Sequence, residues 1–232
     1  KHNREQILTK LFAFAASKEL QQDFHAVIAA YANGRVPSEA QAPRIVQLAQ
    51  RYADEIVDAL LLNLLNGASP DSAAPKALET VANLIKNTVH SLIKQVLSKL
   101  DNKELQPVAA YISERRTLID DGAGEREFIS FELSENDYAQ LHTVWSEAAQ
   151  GRVNKKALND SMLRFSELSI AAFYQDSAKA LKLGFIARNV FNVGQSAISK
   201  GSQMAINRLI PALREQEAKD FATYFLSMLK TV

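Results

Sequence analysis

Apolar residues recur at every third or fourth position along most of this 232-residue chain. That spacing is typical of amphipathic helices that bury one face. It predicts an all-α protein, a bundle of about eight helices, in which the first helix covers roughly residues 3–33 and the second ends near Asn66. Segments rich in glycine, proline, serine and asparagine separate the predicted helices, as expected for turns.

One segment departs from the helical pattern. Residues 120–124 form a glycine-rich turn, and the run that follows, 127–133, is rich in β-forming residues. This composition predicts a small β-hairpin near residues 117–133. Two strands alone are marginal in water, so the hairpin would have to pack on helices.

The same segment is the predicted boundary between two halves of the chain. We expect an N-terminal helical half over residues 1–118, a connector over 119–133 and a C-terminal helical half over 134–232. Two similar four-helix halves would account for the number of helices. Because 47% of the residues are apolar, the chain can bury a sizeable core, and the halves can also pack together as one domain.

Part of the sequence occurs twice, at a constant offset of 117 positions (134 against 17). Between residues 17–40 and 134–157, eight of 24 aligned positions are identical, and both windows contain Gly-Arg-Val. Each of these glycines is expected to end a helix, since glycine adopts the left-handed conformation without a steric penalty. Two explanations of the repeat are open. One is duplication of a segment, and the other is convergence of two unrelated segments on residues that end helices well. A glycine pair beyond the windows, Gly67 and Gly184, has the same offset and favours duplication.

The composition excludes some classes of function. The net charge of +1 argues against a dedicated nucleic-acid-binding protein, and the lack of cysteine excludes disulfides and thiolate metal sites. No apolar run approaches the ~20 residues that span a bilayer. We therefore expect a soluble protein with a cytoplasmic localisation. Because the sequence starts at Lys1 without methionine, an N-terminal targeting segment can also be missing from it.

His25 and His142 are the histidines that the repeat places at corresponding positions, each beside the apolar stripe of its helix. In one interpretation, each ring packs at the edge of the core and bonds to a backbone carbonyl or to water. In the other, a two-fold axis brings both rings together as metal ligands or as a pH-sensitive pair. No carboxylate recurs at the spacing of a metal ligand, so we predict neither a metal site nor a cofactor.

Residues 177–214 contain six basic and no acidic residues, although the whole chain is nearly neutral. Three interpretations are open: a pair of core helices whose charges face outward, a surface that docks on an anionic membrane or an acidic partner, and a surface that contacts nucleic-acid phosphates. The apolar residues spread widely around the helical wheel, which weakens the membrane interpretation. The candidate partner- or lipid-binding residues are Lys179, Lys182, Arg188, Lys200 and Arg208.

The sequence contains no phosphate-binding loop and no nucleophile motif, so we predict no catalytic residues, although an active site without a local motif stays open. The primary prediction is a non-enzymatic protein-interaction or regulatory module, whose partner is another protein or a second copy of the chain. The alternative is a protein that binds an apolar or lipid ligand, or an anionic membrane surface, through residues 177–214. A solid helical bundle favours the first function and a hollow bundle favours an apolar ligand.

Overall fold

The computed structural model describes residues 8–62, 73–120, 122, 124–180 and 185–232. In these residues the chain is mostly helical and forms one small antiparallel sheet. The strands are β1 (Lys10–Ala15), β2 (Arg116–Asp120), β3 (Glu125–Glu132) and β4 (Leu229–Thr231). The helices are α1 (Lys18–Ala30), α2 (Ala42–Val57), α3 (Ala73–Leu97), α4 (Asn102–Glu114), α5 (Glu135–Ala149), α6 (Lys155–Ile170), α7 (Phe185–Ala212) and α8 (Glu215–Ser227).

Two of the helices continue beyond their α-helical residues as π turns, in which the backbone hydrogen bonds span one residue more than in an α-helix. α2 passes into a π turn over Asp58–Leu62, and α6 passes into one over Ala171–Gln175. After its π turn, α6 ends with a last α-helical turn, Asp176–Ala180. The two π turns therefore lie at equivalent points of two different helices.

The N-terminal strand is the main departure from the all-α prediction. The predicted helix over residues 3–33 is wrong in its first part, since β1 forms at Lys10–Ala15 and α1 begins only at Lys18. Four consecutive residues of β1 are buried, so both faces of this strand are covered. A continuous apolar run is typical of such a strand, but a short run cannot be distinguished from a helical segment by its periodicity.

The β-hairpin predicted near residues 117–133 is confirmed as β2 and β3, which pair in antiparallel fashion. The strands of the whole sheet follow the order β2-β3-β1-β4, so β3 lies at its centre. Opposite β3, Phe12 of β1 pairs with Phe131, and the Phe12 ring centroid lies 4.5 Å from that of Phe165 on α6. The predicted connector, 119–133, is thus part of a sheet, and one hydrophobic core contains residues from both predicted halves.

The glycines predicted to end helices do so. Gly34 follows α1 with φ at 69°, and Gly151 follows α5 with φ at 85°. Both values are left-handed, a conformation that a residue with a Cβ atom adopts only with strain. The other glycine pair, Gly67 and Gly184, lies outside the described residues.

A third glycine permits a close approach between helices. α7 is continuous through Gly194, and a Cβ atom at this position would lie 2.6 Å from Cδ1 of Leu92 on α3 and closer still to the hydroxyl of Tyr174. Carbon atoms in contact are normally separated by 3.5–4.0 Å. The lack of a side chain at Gly194 therefore brings α7 near both α3 and the end of α6.

Candidate functional site: an apolar cavity between the helices

The helices form a partly open cavity of about 210 Å³. Most of its wall comes from α2, α3, α6 and α7, with further residues from α4 and α8. The lining side chains are almost all apolar, among them Leu92 and Phe165, and none of the described lining residues is acidic or basic. Concave sites with mostly apolar walls and a few polar groups are typical of small-molecule binding.

The periodicity of each helix explains how it contributes to the wall. On α3, Leu78, Ile85 and Leu92 follow each other at intervals of seven residues, close to two helical turns, so they share one face. Tyr52 and Ile56 on α2 are four residues apart and share a face in the same way. All five residues line the cavity. The apolar stripes that predict the helices therefore face a cavity over part of their length.

Two tyrosine hydroxyl groups of the wall are bonded to the backbone. Oη of Tyr111 donates to the carbonyl oxygen of Ala172 at 2.7 Å, and Oη of Tyr174 donates to that of Phe191 at 2.9 Å. The Tyr174 ring also stacks on the Phe191 ring, with centroids 3.9 Å apart. These two hydroxyls are fixed and satisfied within the protein.

Two other hydroxyl groups of the wall have no such partner. Oη of Tyr52 and Oγ of Ser169 are buried, and neither has a hydrogen-bond partner among the described residues. The Tyr52 ring makes edge-to-face contacts with the rings of Phe24 and Phe173, and its centroid lies 6.1 Å from each of theirs. Buried polar groups are nearly always hydrogen-bonded in folded proteins. Neither oxygen is exposed, so these two hydroxyls are buried in the wall and do not face the cavity, although their residues line it.

Burial keeps the phenol groups of the wall protonated. Burial raises the pKa of Tyr52 well above its ordinary value, and the nearby Tyr111 adds to the effect. Burial also raises the pKa of Tyr111 to about 12, although the Arg115 guanidinium acts in the opposite direction. At neutral pH the wall consequently presents uncharged O–H groups.

The cation beside Tyr111 is already paired. Nη2 of Arg115 donates to Oδ2 of Asp176 at 2.8 Å, and the guanidinium carbon lies 5.2 Å from the centroid of the Tyr111 ring. Arg115 is not a lining residue of the cavity. An ion pair next to the wall thus leaves little net charge to attract an anion into it.

Two ion pairs connect α3 to α2 and its π turn on the side of the cavity wall that these helices form. Nε2 of His90 lies 2.8 Å from Oδ1 of Asp54, and Nζ of Lys86 lies 2.7 Å from Oδ1 of Asp58. All four side chains are partly exposed, and exposed ion pairs contribute little to stability. They tie α3 to α2 without adding a charge to the cavity.

Four of the five candidate basic residues of segment 177–214 are described, and none of the four lines the cavity. Nζ of Lys179 pairs with Oδ1 of Asp176 at 2.7 Å, and Lys182 lies outside the described residues. The other three candidates are exposed on α7, whose buried face lines the cavity: Arg188, Lys200 and Arg208. This placement matches a core helix with outward charges, and binding by these residues stays a prediction.

The corresponding histidines, His25 and His142, have different neighbours. Nε2 of His25 lies 2.5 Å from Oε1 of Glu127, which also accepts a hydrogen bond from Nη1 of Arg116 at 2.9 Å. The His142 ring stacks on the Tyr138 ring, with centroids 5.8 Å apart. Across the described part of the chain, no three histidine or acidic side chains are grouped as metal ligands. The described contacts do not join the two histidines in one site.

Comparison of the chain with protein-family models, with curated proteins and with solved structures finds no match. Among the helices that the structure describes, none is both long enough and apolar enough to cross a membrane.

The cavity residues are absent from the site predicted from the sequence. The apolar stripe of α3 would have the same spacing if it faced a fully packed core, so periodicity carries no signal for a cavity. The sequence held only a weak indication of polar groups in this region, since Tyr52 and Ser169 place a hydroxyl group on the buried face of their helices. Such residues are usually satisfied by the backbone, and only the structure distinguishes these two from Tyr111 and Tyr174.

Proposed function

We propose that this protein binds a small apolar ligand in the cavity between α2, α3, α6 and α7. The observation that carries the proposal is a cavity of about 210 Å³ whose described lining contains no acidic or basic residue. A cavity of about 150 Å³ lined by leucine, isoleucine and phenylalanine is large enough to bind benzene. The present cavity has room for a larger hydrocarbon, such as a bicyclic aromatic molecule.

The free energy associated with the cavity supports a binding role. Unfilled apolar space lowers stability, because the atoms that line it lack contact partners on one side. The total stability of a domain is on the order of 5–15 kcal/mol. A ligand that restores apolar contacts recovers part of this loss, so binding and stability are expected to be coupled.

We also propose that two similar four-helix halves form the cavity around an internal two-fold axis. The spacing of the helices supports this arrangement, because α2 begins at Ala42 and α6 at Lys155, 113 positions later. The π turns at Asp58–Leu62 and Ala171–Gln175 are also 113 positions apart. Corresponding elements therefore follow each other in the same order at the same distance.

The offset changes from 117 to 113 for a local reason. Ala42 follows Ser17 by 25 positions, whereas Lys155 follows Ser134 by 21, so this part of the first half is four residues longer. Ser17 and Ser134 keep the offset of 117, and both are N-caps. Because of this difference in length, one constant offset cannot relate the two halves along their whole length.

The register of the central strands supports the same axis. In the pairing of β1 with β3, Phe12 lies opposite Phe131 and Phe14 lies opposite Ile129. At the offset of 117, Phe12 corresponds to Ile129 and Phe14 corresponds to Phe131. Exchange of the two halves therefore converts one of these pairs into the other.

The edge strands have matching registers as well. Arg116 of β2 lies opposite Ile129 of β3, and Leu229 of β4 lies opposite Phe12 of β1. Arg116 and Leu229 are 113 positions apart, and Phe12 and Ile129 are 117 positions apart. The residue pairs at the two edges of the sheet are thus related by the same two offsets as the helices and the central strands.

The cavity wall follows the same correspondence. Seven lining residues between Ala49 and Leu61 each have a counterpart 113 positions later that also lines the cavity, from Met162 to Tyr174. Seven more between Leu78 and Leu97 have lining counterparts between Phe191 and Ile210. A cavity formed equally by both halves would lie on the axis between them, which supports its origin in the architecture itself.

Titration with naphthalene tests the ligand site. We expect saturable binding at one site per chain, measured by titration calorimetry. Ala205 lines the cavity, and its counterpart on α3 is Leu92. The substitution Ala205→Leu gives this position the side chain of its counterpart and fills part of the cavity, so we expect the affinity for naphthalene to fall at least tenfold.

A matched control uses the same substitution on the same helix. Ala197 on α7 is exposed, and its counterpart Leu84 is 57% exposed. Ala197→Leu should therefore bind naphthalene as tightly as the unmodified chain. A lack of saturable binding to the unmodified chain, or an equal loss of affinity in both variants, would contradict the proposed site.

The protein-interaction or regulatory role, with a protein partner or a second copy of the chain, stays a prediction. Large exposed apolar side chains in the described residues come from different elements, including Leu84 on α3, Leu118 on β2 and Val193 on α7. Single exposed apolar residues are normal on soluble domains. Docking of an anionic membrane through the basic residues of α7 stays a prediction in the same way.

A further inference from the structure

We propose that the outer surface of α3 and α7 docks on an anionic lipid bilayer. The residues of this surface carry exposed apolar or basic side chains, and we call it the outer seam: Leu84, Val193, Lys200, Met204 and Arg208. The proposal goes beyond the ligand in the cavity and does not depend on it. It assigns a defined binding surface to the basic segment 177–214.

The contact between α3 and α7 defines where the outer seam lies. A Cβ atom at Gly194 would lie 2.6 Å from Cδ1 of Leu92, and one at Gly201 would lie 3.7 Å from Cγ1 of Val81. Higher residue numbers on α7 thus oppose lower numbers on α3, so the two helices are antiparallel. With a turn of about 100° per residue, the cavity residues lie on one side of this contact on both helices. The other side of the contact faces outward.

Three large apolar side chains protrude on the outward side. Val193 is 71% exposed, Leu84 57% and Met204 54%. Val193 and Met204 lie within about 20° of each other around the axis of α7. Because Leu84 lies between the two α3 residues that contact the glycines of α7, it is level with a point between Val193 and Met204. The three side chains therefore form one strip, although they come from two helices.

This arrangement accounts for the wide spread of apolar residues around α7. The inner apolar residues, among them Ile198 and Ile206, are buried and line the cavity. The spread counts against membrane docking only if all of these residues belong to one surface, because a helix on a membrane needs a single apolar face. Once the inner residues are assigned to the cavity, the exposed apolar residues Val193 and Met204 share one narrow face.

The charge of the outer seam is complementary to an anionic surface. Lys200 and Arg208 are exposed, and neither has an ion-pair partner among the described residues. The sequence of α7 contains no acidic residue. The one acidic residue of α3, Glu79, is turned roughly 150° away from the contact with α7. A second copy of the chain would bring like charges together, so self-association through this seam is disfavoured.

The shape of the outer seam favours lipid over a partner helix. A partner helix lays its apolar face into a hydrophobic groove, whereas Val193, Leu84 and Met204 protrude from the surface. Protruding apolar side chains can enter the boundary between headgroups and acyl chains, and basic residues beside them attract anionic lipids. The outer seam therefore fits the surface of an anionic bilayer.

Co-sedimentation of the full chain with lipid vesicles tests the docking. We expect the chain to sediment at low salt with vesicles of equal parts phosphatidylglycerol and phosphatidylcholine. It should stay in the supernatant with vesicles of phosphatidylcholine alone. High salt should weaken the binding, because it screens the attraction between the basic residues and the headgroups.

Two double variants separate the apolar and the charged contributions. Val193→Thr with Met204→Ser removes apolar groups, and Lys200→Asn with Arg208→Gln removes two charges. We expect each double variant to bind anionic vesicles at least tenfold more weakly, since one basic residue near such a surface corresponds to about fivefold in affinity. Each substitution introduces the residue that stands 113 positions earlier, on the exposed face of α3: Thr80, Ser91, Asn87 and Gln95.

A matched control removes two charges from other helices. Lys103 on α4 and Lys219 on α8 are exposed. Lys103→Gln with Lys219→Gln changes the net charge as much as Lys200→Asn with Arg208→Gln does, but it should bind anionic vesicles as tightly as the unmodified chain. Thermal melts should show that all three double variants are folded.

A fluorescent label tests whether the apolar strip enters the lipid. Because the chain has no cysteine, Val193→Cys can carry one environment-sensitive fluorophore. Its emission should shift to the blue when anionic vesicles are added. The same label at Thr223→Cys, an exposed position on α8, should not shift.

Four outcomes would overturn the proposal. They are a lack of sedimentation with anionic vesicles at low salt, equal sedimentation with both kinds of vesicle, an equal loss of binding in the control and in the variant of Lys200 and Arg208, and a label at Val193→Cys whose emission does not shift. Binding that depends on both double variants of the outer seam, together with the blue shift, would support it.

Discussion

Tyr111 on α4 and Tyr224 on α8 are 113 positions apart, and each makes the same hydrogen bond to the opposite half. Oη of Tyr111 donates to the carbonyl oxygen of Ala172 at 2.7 Å, and Oη of Tyr224 donates to that of Ala59 at 2.8 Å. Both acceptors lie in the π turns that follow α6 and α2. A contact between a side chain and the backbone is thus the same in both halves.

Contacts between side chains differ more between the halves. Oγ of Ser17 donates to Glu55 on α2, whereas Oγ of the corresponding Ser134 donates to Asp137 within its own helix at 2.7 Å. An N-cap tolerates this difference, because a cap needs only a side-chain oxygen at the first position. At these positions, the hydrogen bonds to backbone acceptors are alike, while the side-chain partners differ.

Among the substitutions that test how similar the two halves are, one at Gly194 is expected to have the largest effect on stability. The counterpart of Gly194 on α3 is Val81. Gly194→Val would force a Cβ atom against Leu92 and Tyr174. The Tyr174 ring cannot move aside easily because it stacks on Phe191 and its hydroxyl bonds to the Phe191 backbone. We expect the free energy of unfolding to fall by about 3 kcal/mol, measured by urea denaturation.

Gly201, on the same helix, provides the control for Gly194. A Cβ atom at Gly201 would have an ordinary contact with Cγ1 of Val81 at 3.7 Å. Gly201→Ala should therefore leave stability unchanged or raise it by up to about 1 kcal/mol, since alanine favours the helix. Equal destabilisation at the two glycines would contradict the close approach at Gly194.

A pH titration is expected to reveal the burial of Tyr111. Burial raises the pKa of this phenol from 10.0 to about 12, so the unfolded chain loses the proton first as the pH rises. The contribution of Tyr111 to stability is complete below pH 10.0 and is lost between pH 10.0 and about 12, by up to about 1.4 kcal/mol per pH unit. Urea denaturation across this window should give a shallower decline for Tyr111→Phe. Identical slopes for both proteins would mean that the phenol is not buried.

The two corresponding tyrosines should differ in what their hydroxyls contribute. Tyr111 is buried and Tyr224 is partly exposed. Tyr111→Phe removes a buried hydrogen bond and should cost about 1–2 kcal/mol, whereas Tyr224→Phe should cost about 0.5–1 kcal/mol because water can replace the hydroxyl. Urea denaturation at neutral pH measures both values. A larger loss of stability in Tyr224→Phe than in Tyr111→Phe would contradict the assignment of the Tyr111 hydroxyl as the more buried one.

The smallest difference is expected at the N-caps of α1 and α5. Oγ of Ser17 accepts from the backbone N–H of Leu20 at 3.1 Å, and Oγ of Ser134 accepts from that of Asp137 at 3.0 Å. Substitution of either serine by alanine should cost about 1 kcal/mol. Ser17→Ala should be the more harmful by about 0.5 kcal/mol, since Ser17 also contacts α2 through Glu55. Thermal unfolding of the two variants can rank them, and a larger effect at Ser134 would contradict this order.

The sequence was informative where local chemistry decides the structure. Gly34 and Gly151 end helices because a left-handed residue is needed there, and this requirement is visible without tertiary contacts. The hairpin of β2 and β3 was predictable from its glycine-rich turn and β-forming composition. In both cases, the deciding interaction lies within a few residues of the signal.

Prediction failed where distant partners decide the structure. The run at Lys10–Ala15 is a strand because β3 and β4 pair with it on either side, and the nearer of these is more than 100 residues away. The short strand Leu229–Thr231 has its only described strand partner in β1 and has no local signal of its own. The cavity depends on how far apart whole helices pack, and no spacing of residues along one helix encodes that distance.

The pairing of the sheet has a consequence for folding. In the order β2-β3-β1-β4, the two strands that precede residue 121, β1 and β2, are not neighbours, and neither are β3 and β4, which follow it. Every described strand pair therefore joins a strand before residue 121 to a strand after it. Lys10 pairs with Thr231 across nearly the whole chain, a contact of high sequence separation that carries a large loop-closure entropy. Local helical hairpins and the hairpin of β2 and β3 can form early, but β1 and β4 join the sheet only when distant parts of the chain meet, so the chain is expected to fold and unfold as one cooperative unit.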